Sequence, residues 1–453
     1  MNKYETRREK TAGTIPASRY AKVYDLDVMC VFCVLIKLLC QFGHQQHVMG
    51  VVYISNVKSA CIGKRRPGPP GTGKTTFLEL CIQRCLDRGG KVLFCAPTAQ
   101  LASRMREKWG KRIDIDTCHA ALGLGQPPSE VMYCLAAYDL VCIDEISQLS
   151  REYFEHIIQL WEYVERVCAV ALIGDRWQMG GMAGTTPWSS PLMTRSTIVY
   201  RTELFKSYRV ADEAYWNLLQ SIRKTRPSET PGRTTCVADL MRGRRAWRGH
   251  KPTASDIARM MEAHPNATFL AISRAGTQLL NDLAVEVLFT DETPLVVGLP
   301  GDVESHPQNY EHGELRLHHH LEAPGITLYA GMQVFLTKNH RKHEDYVNGM
   351  LATVESYNHQ SGGLTVITKT GERVLVTPWT NPDLGGIVYY PIRPGYASTV
   401  LKFQGAELDF VVLFLDAISP GAAYTAMSRV RTSDQCKIGG NVKADHFKPA
   451  LAN

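Results

Sequence analysis

Three short stretches of this chain put polar side chains where phosphate chemistry needs them. The run GPPGTGKT at residues 68–75 has the spacing of a phosphate cradle, and the TFLELCIQRCL that follows reads as a helix. Glycines let backbone N–H groups converge on phosphate oxygens, and a helix N-terminus adds its partial positive charge. The nucleotide-binding set is then Gly68, Gly71, Thr72, Gly73, Lys74, Thr75 and Thr76. Lys74 would reach the β and γ phosphates, and the Thr75 hydroxyl would bind magnesium. The second stretch is the apolar run LVCI at 140–143, ending in Asp144 and Glu145. Asp144 would complete the magnesium shell, and Glu145 would orient or deprotonate the attacking water. The third is CAVALI at 168–173, running through Gly174 and Asp175 to Gln178. A polar Gln at a strand end can sense the γ-phosphate and pass its loss to neighbouring elements.

These groups need a scaffold that brings strand ends together. A carboxylate at the carboxyl end of a buried strand is where a parallel sheet presents groups to a ligand. The spacing predicts strands over 91–96, 140–143 and 168–173, and the 70 residues between Lys74 and Asp144 leave room for the βαβα of a doubly wound α/β fold. Just before the cradle, Lys64-Arg65-Arg66-Pro67 interrupts the apolar run, so either VVYIS (51–55) or ACI (60–62) serves as the first strand through a longer loop, or folding is compromised there. Gln46, upstream of that strand, is a candidate reader of the adenine edge.

The chain has 453 residues, enough for roughly three domains. With 44% hydrophobic and 21% charged residues, neither wholesale disorder nor a membrane protein fits. Its 51 basic and 44 acidic residues give a net charge of +7, which permits a polyanionic partner without requiring one. The thirteen cysteines are odd in number and mostly set in apolar runs, as expected of buried free thiols. Cys30 and Cys33 have CxxC spacing but no second pair or histidine to complete a zinc site. The apolar run at 28–36 is too short for a bilayer, which needs about 20 residues, and the acids before it speak against a signal or transit peptide. Residues 1–41 read as an appendage.

The ordered set resembles the superfamily 1 helicases, and within them the PIF (petite integration frequency) DNA helicases and their RecD-like relatives, over about residues 42–440. APTAQLASRM from Ala96 is similar to the family's first DNA-contacting segment, and TCHAALG from Thr117 to its TxH-LG element. IDEISQLS matches its acidic site, and LFKSYR (204–209) the segment whose arginine reaches the γ-phosphate from the second motor domain. YASTVLKFQGAELD (396–409) and YTAMSRVR (424–431) resemble its C-terminal elements, with Leu401 where many relatives have histidine and Met179 where leucine is usual.

The resemblance implies two RecA-like doubly wound domains with a small SH3-like β-barrel insert, and ATP and magnesium as cofactors. The first RecA-like domain spans 42–190, the second 191–290 and 385–453, and a loop plus the insert spans 291–384. It implies Arg209 and Arg429 as the cations that stabilise γ-phosphoryl transfer, Gly405 beside the nucleotide, and Thr98, Thr117, His119, Thr399 and Lys402 on the DNA backbone. Short alternating segments from about residue 329 to 381 are consistent with a small barrel. The stretch 292–324, rich in Pro, Gly, His and acids, reads as a loop, and His318-His319-His320 as a solvated run. The basic run 242–251, with Trp247, is either a DNA patch or a solvated linker face.

The function so implied is an ATP-dependent DNA helicase translocating 5′ to 3′ on single strands, with single-stranded and forked DNA as partners and no membrane. It would be monomeric, with DNA able to pair two copies, and serve repair, recombination or telomere maintenance. Its place would be nuclear or mitochondrial in a eukaryote and cytoplasmic otherwise. Two alternatives stand beside it: an RNA-directed helicase of the same superfamily, and a degenerate or mobile-element-derived DNA-binding ATPase without unwinding activity.

Overall fold

The computed structural model describes residues 49–53 and 74–450, apart from 132, 164–167, 182–184, 195–197, 203–208, 211, 233–234, 312–313, 317–320 and 341–345. Gln46, Gly68, Gly71, Thr72, Gly73, the Lys64–Arg66 interruption, Cys30, Cys33, the histidines 318–320 and the 1–41 appendage lie outside the described residues.

The first sheet is built from β1 (Met49–Tyr53), β2 (Val92–Ala96), β3 (Asp114–Thr117), β4 (Leu140–Ile143), β5 (Ala169–Gly174) and β6 (Ile198–Thr202). Their order is β3-β2-β4-β5-β1-β6, with every neighbouring pair parallel. The strand before the cradle is thus the MGVVY segment, overlapping VVYIS, and it sits between β5 and β6. β2 and β4 are buried along their whole length, as continuous apolar runs must be when helices cover both faces of a sheet. The helices are α1 (Lys74–Leu86), α2 (Ala99–Trp109), α3 (Cys118–Leu122) and α4 (Arg151–Glu162). Side-chain oxygens fix where three of them start: Thr98, Thr117 and Ser150 each accept an N–H from the first turn. β6 carries this sheet past residue 190.

After α5 (Glu213–Lys224) and α6 (Ala254–Ala263) the chain lays down β7 (Ala267–Ala271) and α7 (Arg274–Leu288), then leaves on a long excursion. The excursion holds β8 (Gln333–Leu336), β9 (Leu351–Asn358), β10 (Gly363–Thr368), β11 (Arg373–Val376) and β12 (Ile392–Pro394). The chain returns as β13 (Ala397–Thr399), β14 (Phe410–Phe414), α8 (Ala422–Met427) and β15 (Cys436–Gly439). The second sheet is parallel in the order β13-β7-β14-β15. Its alternation is clean: Val411 and Leu413 enter the core that holds α5 and α8, while Val412 and Phe414 face the one holding Ile257 and Leu280.

The excursion forms an antiparallel sheet in the order β11-β10-β9-β8-β12, around Val334, Val354, Leu364, Val366 and Ile392. Its edge strands β11 and β12 are not paired with each other among the described residues. The stretch read as a loop, 292–324, departs from that reading. Val296–Pro300 is a strand paired antiparallel with Gly325–Leu328, because Leu299, Ile326 and Leu328 find a common core that composition could not reveal.

The basic run also departs from the patch reading in its aromatic member. Arg244 is buried, donating to the Leu240 carbonyl at 2.9 Å, and Trp247 is buried edge-on against Phe414 with ring centroids 5.5 Å apart. Trp247 is therefore core and unable to stack on a base, while Arg242, Arg245, Arg248 and Lys251 stay exposed, as the solvated reading expects. Eight of the nine described cysteines are buried, Cys134 being half-buried. Among the described residues no helix is long and apolar enough to cross a membrane.

Candidate nucleotide cleft and strand-end threonines

The carboxyl ends of β4 and β5 and the N-terminus of α1 meet at one edge of the first sheet. Lys74, Thr75 and Thr76 open α1. The Thr75 hydroxyl is hydrogen-bonded to the Asp144 carboxylate, whose pKa is pushed up to about 7 by burial and by Glu145, against the pull of Lys74 and the Glu145 N–H. A buried carboxylate this uncomfortable, beside a hydroxyl and a lysine, is a hard-oxygen site short of positive charge. That donor chemistry fits magnesium.

Glu145 is buried and is the single non-glycine with a positive φ among the described residues, at 49°. Such backbone costs of order 1–3 kcal/mol and persists where surrounding structure holds it. Its Oε2 has no hydrogen-bond partner among the described residues. Facing it is Gly405, whose φ of 83° suits glycine and where a Cβ would lie 3.5 Å from Glu145 Oε1 and 3.0 Å from Leu101.

The second sheet supplies two arginines. Arg209 donates to Glu407 at 3.1 Å and to the Ser428 carbonyl at 3.2 Å. Arg429 is buried, donating from Nε to the Thr425 carbonyl at 2.8 Å and from Nη2 to Ser428 Oγ at 2.9 Å. Burial and then Arg209 push its pKa down to about 10, while Glu145, Tyr424 and Asp175 pull it up. The structure therefore brings both sequence-derived arginines together on Ser428, with Arg429 in the field of Glu145. Three of the five guanidinium donors of Arg429 are used, which leaves it anchored with donors to spare.

Gln178 is buried at the end of β5, where its Oε1 accepts from Gln404 Nε2 at 3.1 Å; the same nitrogen donates to Ser147 Oγ at 3.1 Å. Gln404, just before Gly405, is a site residue that sequence reasoning does not single out, although it lies within the YASTVLKFQGAELD segment. Nor does it single out Asp175, Arg223 and Tyr424. Burial pushes the Asp175 carboxyl up, but Arg223, Lys74 and the Trp177 N–H outweigh it and hold it below the usual aspartate value. A signal for Arg223 did exist: it falls on the buried stripe Tyr215, Trp216, Leu219, Ile222 of α5, where a cation needs a buried partner.

Three of the five expected DNA-contacting residues occupy one recurring position. Thr98, Thr117 and Thr399 each follow or end a strand and precede a helical turn. The Thr98 and Thr117 hydroxyls accept the Leu101 and Ala120 N–H groups at 3.3 Å, and a hydroxyl that accepts still has its own hydrogen to donate. Exposed His119 sits edge-on to Tyr153 at 4.8 Å, and partial burial holds its pKa below the ordinary value. Lys402 is exposed but ringed by protein. That crowding, with the Arg393 and Arg274 guanidiniums, pushes its ammonium down to about 7, against Asp302 and Glu304.

Against known proteins, an AAA domain model matches residues 58–236. Human ATP-dependent DNA helicase PIF1 is 24% identical over 404 residues, covering 82% of this chain and 57% of that protein. The ATP-dependent RecD2 DNA helicase of Deinococcus radiodurans is 25% identical over 374 residues, covering 80% of this chain and 45% of its own. This chain thus spans about half the length of these relatives. Among solved structures, the Pif1 helicase of Candida albicans superposes with a TM-score of 0.60 at 18% identity, covering 92% of this chain and 94% of its own. A Bacteroides Pif1 bound to single-stranded DNA gives 0.55 at 17%, covering 90% and 91%. In the order of its motifs and in its fold, two parallel RecA-like sheets flanked by helices, the chain is similar to the Pif1 helicases of superfamily 1.

Proposed function

We propose that the chain is an ATP-dependent DNA helicase that translocates on single strands, 5′ to 3′, by closing and opening the cleft between its two parallel sheets. The observation that carries the reading is that Arg209 and Arg429 meet on Ser428, with Arg429 in the field of Glu145 at the end of β4. Phosphoryl transfer needs cations around the γ-phosphoryl oxygens, and supplying them across a cleft makes hydrolysis depend on closure. A nucleic-acid motor requires that dependence.

In this reading ATP is the substrate. Lys74 binds its β and γ phosphates, with the 68–73 glycines and Thr76 completing the cradle, Gly405 leaving room beside Glu145, and Gln46 reading the adenine. Thr75 and Asp144 would hold magnesium, which when bound neutralises charge on the phosphates. Glu145, through its unpartnered Oε2, orients the attacking water and accepts its proton. Arg209 and Arg429 stabilise the developing charge, and Gln178 reports it to Gln404. Thr98, Thr117, His119, Thr399 and Lys402 hold the strand's phosphates, so binding is nearly blind to sequence. The names of the relatives, ATP-dependent DNA helicases, and the single strand in the Bacteroides Pif1 complex support DNA as the track. The division we propose is a first motor domain ending after β6, an insert from about 291 to 394, and a second motor domain on either side of the insert.

The test is unwinding of duplexes with a 5′ or a 3′ tail, in DNA and in RNA, beside single-strand-stimulated ATP hydrolysis by the full chain. Lys74→Ala and Glu145→Gln should abolish hydrolysis and leave single-strand binding largely intact. Unchanged turnover in either variant sinks the mechanism. Unwinding of RNA alone, or hydrolysis without unwinding, would replace DNA helicase by one of the two alternatives.

A further inference from the structure

We infer that Asp175, Arg223 and Tyr424 form a buried ionic latch that ties the γ-phosphate side of the first sheet to the two arginines of the second. It rests on the motor reading above and adds positioning residues to it. Asp175 hangs from the end of β5, and both of its carboxylate oxygens are taken by groups from the other side. Arg223 Nη2 on α5 donates to Oδ1 at 3.0 Å, and the Tyr424 hydroxyl on α8 donates to Oδ2 at 3.2 Å. The Trp177 N–H adds a bond to Oδ1 at 3.1 Å. Side chains of the pair are 0% and 1% exposed. The guanidinium lies 6.0 Å from the Trp177 ring and 5.9 Å from the Tyr424 ring, within cation–π reach of both. Trp177 itself is packed into the second sheet's core with Tyr215, Leu219 and Tyr424. One further bond crosses here, from the Met179 N–H to Thr425 Oγ1 at 2.8 Å.

Stability does not explain these charges. An apolar cluster of the same volume would hold two surfaces together as well as a buried ion pair or better, because desolvation cancels much of the Coulombic gain. What an ion pair supplies is direction. The Asp175 carboxylate takes its bonds from Arg223, Tyr424 and Trp177 at fixed points, so a displacement of the β5 end must carry α5 and α8 with it. Those helices lead to the reacting groups: α5 follows Arg209, and α8 ends at Ser428 and Arg429. On the other side, the Lys74 ammonium is near enough to act on the Asp175 carboxylate. Phosphate arriving at Lys74 therefore changes the pull on Asp175, and the latch passes that change to both arginines.

Tyr424→Phe removes one hydroxyl and keeps the packing. Arg223→Lys keeps the charge and loses the planar fork. In the full chain both should stay folded, with DNA-stimulated kcat down about tenfold, which is about 1.4 kcal/mol, and the KM for ATP within about twofold. Wild-type kcat in both folded variants overturns the latch, as does a lowered melting temperature with unchanged kcat. Should Arg223→Lys not fold, Tyr424→Phe alone decides. A second readout needs no turnover: a non-hydrolysable ATP analogue should slow amide exchange across residues 213–224 and 422–427 in the unsubstituted chain and not in Tyr424→Phe. Equal protection in the two proteins, or none in either, overturns the latch. Absence of DNA-stimulated hydrolysis in the unsubstituted chain would overturn the motor reading instead, and the exchange comparison would still decide the latch.

Discussion

Replacing Gln404 by Met tests whether the two sheets communicate through side chains. The Gln404 amide nitrogen donates across the cleft to Ser147 Oγ and to Gln178 Oε1, both at 3.1 Å, from a buried site. Met keeps the length and the packing but has no donor. Two neutral hydrogen bonds contribute about 1 kcal/mol each, and orphaning Gln178 Oε1 adds about 1 kcal/mol. Against this, Gln404 Oε1 has no partner among the described residues, so removing it relieves about 1 kcal/mol. The balance, about 2 kcal/mol, is about thirtyfold in kcat if the contacts belong to the closed, hydrolysing state. Steady-state ATP hydrolysis with saturating oligothymidine measures it, with single-strand affinity measured alongside. We expect kcat to fall about thirtyfold and the Kd for DNA to move less than about threefold. Gln404→Glu should do worse, because it turns a donor into a carboxylate facing the Gln178 carbonyl oxygen. Wild-type kcat in folded Gln404→Met refutes the reasoning, and so does a loss confined to DNA affinity, which would make Gln404 part of the strand's grip.

Three other outcomes follow from the same geometry. Lys402, held down to about 7 in the free chain, is drawn back up by a phosphate, so DNA binding should take up a proton and weaken as pH rises above about 7. Fluorescence titrations from pH 6 to 9 should show a slope that Lys402→Arg flattens, and equal slopes would be the contrary result. Asp144 has its folded-state pKa raised by burial and Glu145, so the fold keeps a proton that the unfolded chain releases, and stability drains away as pH rises from the ordinary aspartate value to about 7. In chelator, Asp144→Asn should thus resist urea better than the unsubstituted chain at pH 8 and equally at pH 4; no gain at pH 8 would contradict this. Trp247→Ala should cost about 3–5 kcal/mol of stability and leave DNA affinity alone, because the ring is core, so close to Gly439 that a Cβ there would lie 2.1 Å away. Loss of DNA affinity in the folded variant would restore the patch reading.

Much of this was legible in the sequence, for a physical reason. Strands buried on both faces must be unbroken apolar runs, so VLFCA, LVCI and AVALIG stood out with their polar groups at the ends. The illegible parts depend on partners distant along the chain. Val296–Pro300 looks like a loop because only Leu299 within it is buried, and its strand character comes from pairing with Gly325–Leu328. Arg244 and Trp247 look like a basic aromatic patch because nothing local announces that Phe414 and the Leu240 carbonyl will enclose them. Arg223 and Asp175 lie 48 residues apart, and neither declares the other.

Under the proposed function, the strand-end threonines would let a net charge of only +7 suffice for a chain that runs along a polyanion. Thr98 and Thr117 accept helix N–H groups through their hydroxyl oxygens, so what each would offer a phosphate is a neutral hydroxyl donor held in place by the backbone it caps. Thr399 ends β13 in the same relation to the turn that follows, without a side-chain cap. Neutral donors set at fixed points on two separate sheets can hold successive phosphates only while the sheets keep one spacing. When the spacing changes, one set must let go, and a neutral hydrogen bond lets go at a cost of about 1 kcal/mol, where a desolvated ion pair would cost several. A partly neutral Lys402 works in the same direction. A grip made of weak, well-aimed donors is one that a single ATP can break and remake, and a surface richer in fixed positive charge would hold the strand too firmly to step.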